Sequence, residues 1–163
     1  MNPDAMRPKV TSIRGVASTC GLVLMLLAPN VSALFIVNQP WARPAKSGQA
    51  TEVYMNLTST DGASLVAVHT EEAAAIVIRG PGKAARPVPM LPLPAGTVVA
   101  LAPGMYRLAM FSLTRSIKLG DRLALTLTIE GADGNRQDIP VLAEARLRSP
   151  LEDERRAHHA HSH

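Results

Sequence analysis

Residues 122–130, RLALTLTIE, carry a large aliphatic side chain at every second position, and residues 52–58, EVYMNLT, place Val, Met and Leu in the same way. A period of two places every second side chain on one face of an extended chain, so both segments are expected as half-buried strands. Val53, Met55 and Leu57 form the inward row of one, and Leu123, Leu125 and Leu127 that of the other. Further β-rich runs fall at 34–38, 64–70, 74–79, 97–102, 105–113 and 137–142. Turn signals such as Asp61-Gly62, Gly80-Pro81-Gly82, Pro103-Gly104 and Asp133-Gly134-Asn135 separate them. Many short strands at this spacing predict an all-β sandwich or barrel over residues 34–142. No helical period is sustained in that stretch, and no repeat is present.

The flanks read differently. Arg7, Lys9 and Arg14 precede the apolar run 15–29, and Val31-Ser32-Ala33 offers small residues for cleavage. Residues 1–33 are therefore expected to be a secretory signal peptide, with an uncleaved anchor as the competing reading. Cys20, the single cysteine, lies inside the apolar run, whereas a lipoprotein signal places its cysteine after that run. Cleavage near Ala33 leaves a chain without thiols, which excludes disulfides and thiolate chemistry. Of 17 Lys and Arg and 13 Asp and Glu, three and one lie in the signal, leaving 14 against 12. So even a balance gives no case for nucleic acid. Residues 143–163 carry mixed charge, are interrupted by Pro150 and end in HHAHSH; they are expected to be a flexible tail.

Several segments, in order, resemble the PCu(A)C family of periplasmic copper chaperones. They are Pro40-Trp41-Ala42-Arg43, the strand ATEVYMNL at 50–57, Arg86-Pro87-Val88, Pro94-Ala95-Gly96, Pro103-Gly104-Met105-Tyr106 and Leu119-Gly120-Asp121 before the alternating strand. The resemblance covers about residues 39–142. It implies a cupredoxin-like Greek-key β-sandwich of two antiparallel sheets and no membrane association after cleavage. It also implies a periplasmic monomer that delivers Cu(I) to a copper-receiving respiratory oxidase subunit, or scavenges copper. In that family two His and two Met bind the metal, because soft thioether sulfur and imidazole nitrogen suit Cu(I). Here the matching positions are Arg79, Ala85, Arg107 and Ala109, with Ala74 as the other placement for the first His. Arginine offers no lone pair to a metal. The expectation is a degenerate core site.

Other chemistry is sparse. His158, His159, His161 and His163 crowd the carboxyl end, where neutral imidazoles would bind copper weakly, or are incidental to a solvated tail. His69 ends a strand alone, placed by alternation on the face of Leu65 and Ala67 with Val66 and Val68 opposite, and reads as structural. Alternation turns Met110 to the core with Leu108; Met90 and Met105 lie near turns and are the route to a rebuilt Met site. Arg79 and Arg107, close in space under the preferred placement, would suit an anionic ligand or partner protein at the former metal-site rim, or simply point into water. No Gly-x-Ser-x-Gly, P-loop or His-Glu-x-x-His motif occurs, and the chain is read as a non-enzyme.

Overall fold

The computed structural model describes residues 34–160, with side chains described as far as Ala157. Residues 1–33, where a signal peptide is expected, and His161 and His163 lie outside the described residues. Among the described residues nine strands and a helix follow in order: β1 (Phe35–Ala42), β2 (Thr51–Ser59), β3 (Ala63–His69), β4 (Ala73–Arg79), β5 (Leu91–Leu93), β6 (Val98–Leu101), β7 (Arg107–Leu113), β8 (Arg122–Gly131), β9 (Arg136–Ala145) and α1 (Pro150–Ala160).

The two alternating segments are β2 and β8, and their inward rows are as the period requires. Val53, Met55, Leu57, Leu123, Leu125 and Leu127 are all buried in one apolar cluster. Burying each leucine contributes about 1.5–3 kcal/mol. β8 and β9 form a long antiparallel hairpin from Arg122↔Glu144 to Glu130↔Arg136. Its turn is closed by Asp133, whose carboxylate accepts from Asn135 N at 3.0 Å and Asn135 Nδ2 at 2.6 Å.

The strands do not separate into two purely antiparallel sheets. They form one mixed sheet in the order β4-β7-β2-β1-β9-β8-β3-β5, with β6 also paired to β2. The join is β1, whose register on β2 shifts between Asn38 and Trp41, where Gln39 takes a φ of 51° and Pro40 removes a ladder donor. Beyond that bulge β1 pairs in parallel with β9, Trp41 beside Glu144 and Ala42 beside Ala145. At the other end the chain nearly closes the barrel. Pro87 and Val88 run along β4, with Val88 N donating to Ile78 O at 2.9 Å, before β5 pairs with β3.

Three sequence expectations are corrected here. β9 continues to Ala145, and Ala143 and Ala145 are fully buried, so the packed domain extends past residue 142. Pro150 opens α1 instead of interrupting it, because the first helical residue needs no N–H partner. Ser149 caps it, its Oγ accepting from Leu151 N at 3.3 Å, and Glu152 and Asp153 stand in the first turn. The third correction concerns β3, which is bulged between Leu65 and Ala67. The extra residue reverses parity, so Leu65 is buried while Ala67 and His69 are exposed.

Candidate functional site

β4 and β7 are antiparallel neighbours in a register that sets Arg79 opposite Arg107 and Val77 opposite Ala109. β2 lies on the other side of β7, with Glu52 opposite Ala109. Residues 80–86 form a tight hairpin, Gly80 N donating to Arg86 O at 3.0 Å. Gly82, at a φ of 89° that an L side chain rarely adopts, donates its N–H to Gly104 O at 3.0 Å and fastens this hairpin to the turn before β7. Arg79, Ala85, Arg107 and Ala109 therefore lie in one neighbourhood. Arg79 Nη1 donates to Ala85 O at 3.4 Å, and Ala85 and Ala109 are both buried. Ala74 faces outward near the far end of β4 and takes no part.

Arg107 does not point into water. It is 8% exposed, and all three of its guanidinium nitrogens are hydrogen-bonded internally. Nε donates to Glu52 Oε1 at 2.7 Å, and Nη1 donates to Met105 O at 3.1 Å and Gly80 O at 3.3 Å. Nη2 donates to Gly82 O at 3.5 Å. A buried guanidinium is tolerated when its charge is paired and its nitrogens find acceptors; here the charge is paired and each of the three nitrogens has at least one acceptor.

Glu52 carries the network outward. The Tyr54 hydroxyl donates to its second oxygen, and Tyr54 stacks on Trp41 with ring centroids 4.6 Å apart. Burial, reinforced by the Glu52 carboxylate, pushes the Tyr54 phenol up to about 12, while Arg43, 5.9 Å above the ring, acts in the opposite sense. Arg79 is held differently. Its guanidinium lies 5.3 Å from the Phe111 ring centroid, and its buried Nε has no hydrogen-bond partner among the described residues. Arg43, Arg79, Glu52, Ala109 and Phe111 line an open groove of about 360 Å³.

The remaining candidates disperse. Met110 is fully buried with Leu108, as its parity requires, while Met90 and Met105 are exposed. Among the described residues no three His, Cys, Asp or Glu side chains converge. His158 and His159 belong to α1, and His161 and His163 fall outside the described residues. Sequence reasoning missed Glu52, Tyr54, Arg43 and Phe111. The available signal was that Glu52 and Tyr54 share the face of β2 opposite Val53 and Met55, where a carboxylate and a phenol two residues apart meet side by side.

A mostly β chain closed in this way has the fold seen in PCuAC domains. The apo PCuAC domain from PmoF1 matches with a TM-score of 0.56 and 25% identity, covering 69% of this chain and 94% of that one. The copper-bound PCuAC domain from PmoF2 matches at 0.53 and 18%, covering 69% and 93%. The solution structure of Cu(I)-DR1885 from Deinococcus radiodurans matches at 0.54 and 22%, covering 74% and 85%. Residues 36–141 match the family model described as "Putative lipoprotein LpqE-like", and the chain belongs to this LpqE-like family. No curated protein matches it significantly.

Proposed function

We propose that this chain is an extracytoplasmic domain of the copper-chaperone type in which the core ligand positions no longer take copper. The carrying observation is Arg107. At a position where the resemblance expects an imidazole, a buried cation is locked to Glu52 and to three backbone carbonyls. A positive charge there repels Cu(I), and Ala85 and Ala109 bring no sulfur. The residues present do not fit the metal. In this reading the metal role falls to His158, His159, His161 and His163, which bind copper weakly, while the domain docks on a partner such as a copper-receiving respiratory oxidase subunit. The lipoprotein description of the family supports an address outside the cytoplasm, and the periplasm is the compartment we assign. The test is copper stoichiometry with and without residues 157–163. Loss of all copper on truncation is expected; retention of one tightly held Cu(I) overturns the reading.

One observation favours a second reading, a non-metal interaction module at the same rim. Arg43 and Arg79 both line the groove beside the former ligand positions and make no ion pair among the described residues.

A further inference from the structure

We infer that the groove between β2, β4 and β7 is a binding site for a small monocarboxylate with an apolar body. The inference rests on the second reading above and gives it a ligand class and a set of residues.

The charge around the groove is uneven. Arg107 and Glu52 cancel, leaving Arg43 and Arg79 as the uncompensated charges of its lining. Arg79 is positioned by its packing on Phe111 and by a single long hydrogen bond through Nη1. A guanidinium immobilised by stacking loses little further freedom when it binds an anion. Arg43 is exposed and stands over Tyr54. Two guanidinium groups on one groove select an anion, since this group matches carboxylates in shape and charge.

The rest of the lining narrows the class. Phe111, Ala109, Ala50 and Pro44 form an apolar wall, which favours an organic acid over an inorganic ion. Ala109 is decisive for space, because any longer side chain on β7 at that point would enter the groove. Glu52, 37% exposed at its side chain, puts one negative charge at the rim and penalises a dianion such as phosphate more than a monoanion. A groove of about 360 Å³ suits a small molecule.

Benzoate is a suitable probe, with benzamide as its neutral counterpart and inorganic phosphate as the dianion. Titrations are followed in proton–nitrogen NMR spectra of the full chain. Benzoate should give saturable shifts of the Arg79 Nε–H and of the Phe111 amide, benzamide none, and phosphate weaker ones. Arg79→Gln and Arg43→Gln should each weaken benzoate about tenfold or more. Arg43 is exposed, so its variant keeps the test valid if Arg79→Gln perturbs folding. Equal binding of benzamide, tighter binding of phosphate, or unchanged benzoate affinity in Arg43→Gln overturns the assignment. A parallel Cu(I) titration separates the two failures: absent benzoate binding sinks this inference alone, whereas tight Cu(I) binding after removal of residues 157–163 sinks the underlying reading.

Discussion

Arg107 Nε lies 2.7 Å from Glu52 Oε1, so a single ion pair joins β7 to β2 beneath the groove and anchors both neighbouring turns through the same guanidinium. The first prediction concerns this pair. Glu52→Gln leaves a buried cation with carbonyls alone and should destabilise the domain by about 1–3 kcal/mol, below the value for a fully buried pair because Glu52 is partly solvated. Urea unfolding midpoints measure it. Arg107→Met combined with Glu52→Gln should cost less than the two changes summed. Strict additivity would show that the groups do not interact.

Tyr54 gives a pH signature. Its phenol is pushed up to about 12 from 10.0, so the folded state keeps a proton that the unfolded chain releases. Native protein then binds more protons than unfolded protein between about pH 10 and 12, and stability falls as pH rises through that window. Below pH 10 both states are protonated and the effect vanishes. Ultraviolet titration of the two tyrosines should show a late step that disappears in Tyr54→Phe.

The tail makes a separate prediction. His158, His159, His161 and His163 should bind Cu(II) or Zn(II) weakly, and binding should fade below about pH 6 as imidazoles of reference pKa about 6.5 take up protons. Replacing all four with alanine should remove it. If metal uptake survives, Met90 or Met105, both exposed, becomes the suspect.

Restoration tests the core site. Arg79→His, Arg107→His, Ala85→Met and Ala109→Met together should recover some Cu(I) binding, because the four positions already lie together around the β4–β7 pair. The variant also frees Glu52, so its fold should be checked alongside. A folded but copper-blind variant would place the fault in the 80–86 hairpin, since a site displaced by about an ångström usually fails.

The address can be read from the mature amino terminus. Cleavage near Ala33 predicts an unlipidated protein of residues 34–163. The family's lipoprotein description makes Cys20 the rival start, acylated and membrane-held. Mass spectrometry of protein recovered from both the soluble and the membrane fraction of its native cells decides, and a lipid-bearing Cys20 would refute cleavage near Ala33.

Alternation alone placed β2 and β8, because period two is a direct image of one buried face. It failed at β3, where the bulge after Leu65 adds a residue that no composition signal marks. It failed again at β9, whose last buried residues are alanines in a charged stretch, Ala143 and Ala145, too small to stand out in the pattern. The resemblance grouped Arg79, Ala85, Arg107 and Ala109, and the strand register does bring them together. Their electrostatics were not legible, because Glu52 reaches Arg107 from 55 residues away. Such a partner emerges only once strand order is fixed.

The parallel contact of β1 with β9 has a mechanical consequence. Arg146 N also bonds Ala42 O at 2.8 Å, so the first and last strands of the domain are fastened at one place. Because they run the same way there, opposed pulls on the chain before β1 and after β9 slide one strand along the other. The cross-bonds are then strained in shear, all at once, and no end is free to peel them singly. A domain held by one terminus and tugged by the other would resist as a lap joint does.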